Sequence, residues 1–477
     1  MKYRWHGRDA HVTLFKASKR ENRPLHRGLP SVDSYGIQCV PAGTQAGFQR
    51  CKISAVATST LKAPEPAYSP ARVLLPLDAN RVWSLDVLRA FAIFLVLYGH
   101  IPFRIDDHAI AWRFWFILRQ MGLIGVDLFF VLSGFLIGKL LLSEHQSTGT
   151  LAVGRFYLRR ALRLWPSYFV VVLFGWQWYH LVQRFHLMPA GSEEMTTTPA
   201  RLLNMWPYFA HVQNYVDPGF GAGAVIQTWT LVSIVHFYLI FPILLLISLK
   251  LGDGKNGGPI RSLPWIVLAI AIICFGFRYA NAPATANQYD PWRNYFPTHL
   301  RIDEPMFGVL AAYFVVQFRA AVERAMRYWL VILIASLSAL LPTALRREEA
   351  PPFLVIWGYT LAALGCTGFV LLAWWAGQRK SATGDRHVSL PVRFLAHVGI
   401  WSYSIYLWHQ PLAQLMVMKA RIRIKLWDSP LHFPIIVFVY LMFSIAIGAA
   451  MYYAIEKPAL NFRKRITARR FQAELQQ

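Results

Sequence analysis

The sequence predicts an all-α, polytopic membrane protein with about ten transmembrane helices. Hydrophobic residues make up 55% of the 477 positions and charged residues only 15%, and the mean hydropathy is +0.35. Soluble domains usually carry about 25% charged residues, so this composition argues against them. After about residue 80, apolar runs of roughly 17–25 residues recur, the length that a helix needs to cross a bilayer.

The apolar runs fall into ten predicted spans, which would place both chain ends on one side of the membrane. Two of these spans contain polar clusters, RIDE in one and SYS and WHQP in the other. We expect these two to face the protein interior rather than lipid. The predicted spans cover 84–103, 120–142, 164–182, 229–249, 262–279, 298–317, 328–343, 353–376, 394–417 and 432–454.

Lysine and arginine predict the orientation. They concentrate in the connections after the second, fourth, sixth and eighth spans, which should therefore be cytoplasmic together with both termini. One basic group, RIRIK at 421–425, lies on the opposite side in this scheme. The cytoplasmic set comprises Arg155, Arg159, Arg160, Arg163, Lys250, Lys255, Arg261, Arg319, Arg324, Arg327, Arg379, Lys380, Arg386 and Arg393.

Three regions are expected along the chain. Residues 1–80 are predicted to be a disordered, basic cytoplasmic tail, because they mix Pro, Gly, Ser, Lys and Arg around isolated hydrophobic residues. Residues 81–465 form the transmembrane domain, and 466–477 a cytoplasmic C-terminal tail. The net charge of +25 is attributed to contact with anionic lipid headgroups and not to nucleic acid. Four scattered cysteines predict neither a disulfide framework nor a metal site.

The first span, LDVLRAFAIFLVLYGH, keeps three ionisable residues in an apolar segment. Arg89 and His100 are eleven residues apart, so on a helix they share one face about 16 Å apart along the axis, with Asp86 near it. Such a stripe indicates a polar passage, because exposing it to lipid would cost several kcal/mol. The alternative is a structural Asp86–Arg89 ion pair with an interfacial histidine.

The next segments continue this polar theme. Asp127 in the second span needs a partner, for which Arg89 and His100 are the candidates, and Ser133, Gly134 and Gly138 permit close helix approach. The run FYLRRALRLWPSY then places three guanidinium groups at the mouth of the third span. They suit the phosphates of a nucleotide-bearing donor, although positive-inside topology also explains them. They are Arg159, Arg160 and Arg163.

Seven motifs occur in an order that resembles the acyltransferase 3 family of integral-membrane O-acyltransferases. Together they cover most of residues 83–465 and include an Arg-x10-His pattern in the first span. The motifs are LDVLRAFAIFLVLYGH, GVDLFFVLSGFLIG, FYLRRALRLWPSY, TWTLVSIVHFYLIFP, RIDEPMFGVLAA, WSYSIYLWHQPL and YYAIEKPALNFRKR.

The resemblance implies a bacterial inner-membrane enzyme. It would move an acyl group, commonly acetyl, from cytoplasmic acyl-CoA, a co-substrate and not a bound cofactor, to a hydroxyl of an extracytoplasmic carbohydrate or glycolipid. His100 would be the general base, for which a neutral imidazole is suited, and Arg89 would hold the donor or the catalytic geometry. Arg159, Arg160 and Arg163 would bind the coenzyme phosphates. Candidate pathway-lining residues are Trp229, His236, Tyr238 and His409.

One departure from the family pattern affects the predicted site. WTLVSIVHFYL carries Ile234 where the family usually has glutamate. Asp127 could replace that carboxylate only if it reaches the same space, and in that role it joins the catalytic candidates. No GxSxG or HExxH motif supports a hydrolase serine or a zinc mechanism. The competing functions are a non-catalytic scaffold and a secondary transporter. The sequence has no obvious internal repeat, which counts mildly against a transporter.

Three local predictions complete the set. Pro411 is expected to interrupt its helix beside His409 and to free backbone carbonyls. Arg301 and Asp303 are expected to form a buried pair. Glu456, followed by Lys-Pro, is expected to mark the end of the last span.

Overall fold

The computed structural model describes residues 82–101, 110–184, 205–216, 225–285, 288–344, 352–382, 388–423 and 433–475. These ranges contain helices and turns and no strand, which confirms the all-α prediction for the described chain. The predicted tail at 1–80 lies outside the described residues. The boundary predicted at residue 465 falls inside the last helix.

The described residues form fourteen α-helices, several of them joined by 3₁₀ or π turns. They are α1 Trp83–Gly99, α2 Ile110–Thr148, α3 Val153–Arg184, α4 Trp206–Ala210, α5 Trp229–Lys250, α6 Leu263–Ala280, α7 Pro291–Asn294, α8 Asp303–Gln317, α9 Arg319–Ala325, α10 Trp329–Ala344, α11 Tyr359–Ala382, α12 Leu390–Arg423, α13 Phe433–Met451 and α14 Lys457–Leu475.

Six helical segments of the described chain are long and apolar enough to cross a bilayer. Each overlaps one of the ten predicted spans. In such a segment the helix itself bonds most of the backbone N–H and C=O groups, as hydrocarbon requires. The six segments are Gln120–Thr148, Ile226–Lys250, Leu263–Ala280, Arg319–Ala344, Leu354–Arg379 and Pro434–Ile466.

The other four predicted spans are helices that do not reach this standard of length and apolarity. They correspond to α1, α3, α8 and α12. α1 and α8 carry acidic residues in their first turns, and α8 has only 15 residues. The number of ten spans therefore stays a prediction, and these four helices hold most of the ionisable groups discussed below.

Inner and outer helices differ in how much of their apolar surface the protein covers. α2 packs against α1, α8 and α11, while α1 and α13 both pack against α12. Of the most apolar part of Gln120–Thr148, 72% is buried, compared with 22% for Leu263–Ala280 and 17% for Arg319–Ala344. The outer helices expose large side chains such as Trp265 and Val331. A hydrophobic surface of this extent is what lipid tails cover.

Glycines let α2 and α8 approach closely. A Cβ at Gly134 would overlap the backbone of Pro305, and a Cβ at Gly308 would overlap the carbonyl of Val131. One turn further along α2, a Cβ at Gly138 would crowd the backbone and side chains of α8. The predicted close approach at Gly134 and Gly138 is confirmed, and it matches the small-residue contacts of membrane helices.

The prediction that Pro411 interrupts its helix is wrong. α12 runs without a break from Leu390 to Arg423. Proline has no N–H, so it cannot bond the carbonyl four residues earlier. That carbonyl, of Leu407, instead accepts from Gln227 Nε2 at 2.7 Å, and this side-chain bond satisfies the carbonyl inside a continuous helix.

The prediction that Glu456 marks a helix end is also wrong. A π turn, Tyr452–Glu456, joins α13 to α14, and the helical path continues to Leu475. Glu456 is buried and accepts a hydrogen bond from Ser404 Oγ at 2.9 Å. Pro458, which has no N–H to bond, lies two residues after this π turn.

Candidate active site

The ionisable stripe of α1 begins with an ion pair. Arg89 Nη1 lies 2.5 Å from Asp86 Oδ1, one helical turn away, and Asp86 is buried. α12 passes so closely that a Cβ at Gly399 would overlap the carbonyl of Asp86. The alternative prediction of an Asp86–Arg89 pair is therefore confirmed, while the arginine also reaches the cavity described next.

A cavity of about 290 Å³ opens between α1, α2, α3, α5 and α12. Its wall joins basic, hydroxyl and apolar side chains, the mixture that a ligand with both charged and apolar parts requires. Ile234, at the position where the family pattern has glutamate, forms part of this wall. The lining residues with polar side chains are Arg89, Ser133, Arg160, Arg163, Tyr238, Ser402, Tyr403 and Tyr406.

Arg160 and Arg163 supply uncompensated positive charge to the cavity. Within the described chain neither guanidinium pairs with a carboxylate, and Arg160 Nε is enclosed without a hydrogen-bond partner. The Arg160 guanidinium carbon lies 5.5 Å from the Phe156 ring centre and 5.8 Å from that of Tyr238. These rings hold the side chain in place but offer no acceptor to its Nε–H donor. An anionic ligand would satisfy them.

Two histidines meet at the far end of α1. His100 ends that helix, and its Nδ1 lies 2.8 Å from Val96 O. His409 is fully buried with Nδ1 2.6 Å from Tyr406 O, and the two ring centres are 4.9 Å apart. A carbonyl only accepts, so each Nδ1 carries a proton, and when the ring is neutral Nε2 is the basic nitrogen. His409 Nε2 has no partner among the described residues.

Tyr406 lies between the cavity and the histidine pair. Its side chain lines the cavity, and its ring centre is 5.4 Å from that of His409. Its hydroxyl donates to Gln227 O at 3.0 Å and accepts from Thr230 Oγ1 at 2.8 Å. His100 itself does not line this cavity. Tyr406 thus contacts both the cavity and His409, which in turn contacts His100.

Asp127 pairs with an arginine that the sequence analysis did not name as its partner. It forms a buried ion pair with Arg301, which also pairs with Glu304. The Arg301 guanidinium carbon lies 4.5 Å from the Tyr295 ring centre and 4.3 Å from that of Tyr359. Asp127 does not line the cavity that Ile234 lines, so it does not replace the family's glutamate there.

The predicted pairing of Arg301 with Asp303 is wrong, although both residues are buried. Asp303 pairs instead with Arg278 of α6, with Nη2 2.7 Å from Oδ2. Arg278 Nη2 also donates to Thr360 Oγ1 at 2.7 Å. Successive residues at the start of a helix point in different directions, so Asp303 and Glu304 reach different arginines.

The comparisons with known proteins match this sequence to one family. A family model described as an acyltransferase domain matches residues 82–452. The chain belongs to this acyltransferase family.

Three relatives carry names that refer to acetyl transfer. YrhL of Bacillus subtilis (strain 168), whose name proposes a peptidoglycan O-acetyltransferase, is 26% identical over 79% of this chain and 54% of its own length. The peptidoglycan O-acetyltransferase OatA of Listeria monocytogenes is 30% identical over 70% of this chain and 49% of its own length. A Staphylococcus aureus (strain COL) protein, whose name proposes an O-acetyltransferase, is 27% identical over 68% and 50%. The chain thus spans about half the length of these relatives. No solved structure matches it.

The remaining candidates of this acyltransferase chain occupy different places. Tyr238 lines the cavity. Trp229 packs edge-on against Tyr295 at 4.9 Å, in the aromatic surroundings of Arg301. His236 Nδ1 lies 2.8 Å from Thr298 Oγ1. Trp229 and His236, like His409, do not line this cavity, so the structure groups only Tyr238 with the arginines.

Sequence reasoning missed several cavity residues of this acyltransferase. Ser402, Tyr403 and Tyr406 all come from the motif WSYSIYLWHQPL, whose SYS run was expected to face the interior but was not assigned to the site. The alternation of polar and apolar residues there at helical spacing was the available signal. It indicated a polar helix face, but not which cavity that face lines.

Proposed function

We propose that the protein is a membrane O-acyltransferase that moves an acetyl group from cytoplasmic acetyl-CoA to a hydroxyl of an extracytoplasmic carbohydrate. The observation that carries this proposal is the cavity with two arginines unpaired within the described chain, which offers an anionic, partly apolar donor both charge and apolar wall. The names of the relatives make peptidoglycan the first acceptor to test.

In this proposal the thioester arm occupies the cavity, and the phosphates bind Arg160 and Arg163. Arg159, which is not among the cavity residues, would assist from the mouth. The Tyr406 ring turns aside so that the thioester carbonyl reaches the histidine pair. This movement requires the Tyr406 hydroxyl to leave Gln227 O and Thr230 Oγ1.

His100 is the proposed general base. Its Nε2 takes the proton of the acceptor hydroxyl as the oxygen attacks the thioester carbonyl, forming the C–O bond of the ester. The C–S bond then breaks, and the proton passes from the imidazolium to the leaving thiolate, which gives free coenzyme A. Arg89, fixed by Asp86 at 2.5 Å, holds positive charge at the cavity wall and helps to orient the donor.

The wall position of Ile234 favours one competing function, a scaffold of the same fold that does not transfer acyl groups. The carboxylate usual in the family is absent from a surface that the donor would touch. The third hypothesis is a secondary transporter, and no feature of the cavity specifically supports it. The acylation test below separates all three.

The test replaces His100 by Asn in the full chain. Asn keeps a donor for the Val96 carbonyl but removes the basic nitrogen, so transfer should fall about 10²–10⁴-fold while the protein stays in the membrane. The matched control is His397→Asn, because His397 makes the same type of bond, with Nδ1 2.9 Å from Arg393 O, outside the cavity. Acetyl groups on peptidoglycan and other envelope glycans are measured by mass spectrometry.

Four outcomes are distinguishable. Loss of the acetyl mark with H100N but not with H397N supports the enzyme. An unchanged deletion strain, with no acetyl-CoA-dependent transfer by the purified protein, rejects it. A deletion phenotype that H100N fully rescues indicates the scaffold, and solute uptake into proteoliposomes without transfer indicates the transporter.

A further inference from the structure

The C-terminal helix brings a further arginine close to the arginines of α3. α14 packs against α3, and Arg463 on α14 is half-buried, whereas its neighbours Lys464 and Arg465 are exposed. Arg463 lies within electrostatic range of Arg159 and Arg163. It is thus the basic residue of this helix turn that faces the arginines of α3.

Positive charges from three helices converge at this point. Arg160 of α3 lies within electrostatic range of Arg163, of Arg89 from α1 and of Arg463 from α14. Like charges brought together in a partly desolvated place repel each other, and the repulsion grows as water is excluded. Asp86 pairs with Arg89 and offsets one of these charges, and an anion bound beside Arg160 would offset part of the remaining repulsion.

The local neutral contacts do not replace that anion. The rings of Phe156 and Tyr238 lie 5.5 and 5.8 Å from the Arg160 guanidinium carbon, and such cation–π contacts are worth only about 0.5–2 kcal/mol. They leave Arg160 Nε enclosed without a partner in the described chain. This buried donor beside the cavity is the independent sign that a ligand belongs there.

The size of the cavity decides which part of a donor meets the cluster. Its volume of about 290 Å³ is at the lower end of pockets that enclose a drug-sized ligand, about 300–1,000 Å³. It has room for a slender acyl-pantetheine arm but not for a nucleotide as well. The phosphates of such a donor would stay outside the enclosed volume, near Arg163 of the cavity wall and Arg463 beside it.

We infer that Arg463 on the C-terminal helix is a phosphate-binding residue for the acyl-CoA donor, acting together with Arg160 and Arg163. This inference rests on the proposed function. It assigns α14 a part in donor selection: donors with a nucleotide diphosphate are held by α14 as well as α3, and donors without it are held by the cavity alone.

The experiment measures ligand binding and not turnover. The full chain is purified in detergent, and calorimetry gives the affinities of coenzyme A and of pantetheine, which lacks the nucleotide and its phosphates. Arg463→Gln should weaken coenzyme A binding about tenfold to hundredfold, the range for a hydrogen bond between charged groups. It should leave pantetheine binding unchanged.

Two further variants sharpen the test. Arg465→Gln removes an equal charge two residues away on an exposed position, so it should bind coenzyme A like the parent chain. Arg463→Lys keeps the charge but loses the planar fork of guanidinium donors, so its affinity should fall between those of R463Q and the parent. Increasing salt should reduce the difference between R463Q and the parent chain, because the lost interaction is electrostatic.

The possible failures are separable. Equal weakening by R463Q and R465Q would mean a general effect of charge and would overturn the inference, as would equal weakening of coenzyme A and pantetheine by R463Q. Unchanged coenzyme A binding by R463Q overturns the inference but leaves the proposed function intact. A parent chain that binds pantetheine and coenzyme A equally, or neither, rejects the donor assignment on which both proposals depend.

Discussion

Arg301 is a buried cation that depends on several partners for its charge. Its guanidinium is fully buried, pairs with Asp127 and Glu304, and sits against the rings of Tyr295 and Tyr359. Two carboxylates and several aromatic faces compensate one cation that has left water. Removing that cation leaves two buried carboxylates without their main partner, which is far more costly than losing an exposed pair.

This difference gives a prediction at the scale of the residue. Arg301→Met should destabilise the protein by about 3–5 kcal/mol, because it breaks a buried ion pair on one side only. Arg319→Met is the control, since its pair with Glu323 at 2.8 Å is exposed, and exposed pairs contribute about 0–1 kcal/mol. Thermal unfolding of the detergent-solubilised variants measures both. Equal melting temperatures for the two variants would contradict this account of Arg301.

Residue pairing was only partly predictable from the sequence. Asp86 and Arg89 are one helical turn apart, so helical spacing alone predicts their contact. Asp127 and Arg301 are 174 positions apart, and no local pattern records which helices meet. The same limit applies to Gln227, which bonds the carbonyl that Pro411 leaves free on α12. A buried charge can be recognised in the sequence, but its partner depends on the packing.

At the scale of the element, the contact between α2 and α8 holds the buried charges together. Gly134 and Gly308 let the two backbones touch, and this contact brings Asp127 of α2 to Arg301 at the start of α8. Without a difference in apolarity between protein and lipid, close van der Waals packing of this kind supplies much of the helix association.

Adding one methyl group at this contact tests its importance. Gly134→Ala should push α2 from Pro305 and destabilise the protein by about 1–3 kcal/mol, the usual cost of overpacking. Gly276→Ala on α6 is the control, because nothing lies within 4 Å of a Cβ there. In a helix interior that change should be neutral or stabilising by up to about 1 kcal/mol. Thermal unfolding distinguishes them, and a stable G134A would show that the helices can separate without cost.

The elements themselves were easier to predict than their roles. Long apolar runs gave six helices whose composition suits a bilayer. α1, α3, α8 and α12 were harder to classify, because the polar groups that line the cavity or pair in the interior also reduce their apolarity. Local sequence also predicted helix ends at Pro411 and Glu456. The helix continues at both positions, with a side-chain bond at the first and a π turn at the second.

At the scale of the whole molecule, contacts between loops bear on the orientation. His145 Nε2, near the end of α2, lies 2.9 Å from Gly254 O in the loop after α5. Arg319 Nη2, after α8, lies 3.3 Å from Gln378 Oε1, near the end of α11. Each contact joins two of the connections that the basic residues assign to the cytoplasm. Loops that touch each other must emerge on the same side, so these contacts agree with the predicted topology.

Cysteine labelling tests that topology directly. In a chain whose native cysteines are replaced, Ser147→Cys places a thiol in the predicted cytoplasmic loop after α2, and Ala284→Cys places one after α6; both positions are exposed. A membrane-impermeant maleimide should label A284C in intact cells and S147C only after the cytoplasmic membrane is opened, because an odd number of predicted crossings separates the two positions. Labelling of S147C in intact cells would show that the predicted orientation is reversed. The arginine cluster would then face away from cytoplasmic acetyl-CoA, and the donor could not reach Arg160 from that compartment.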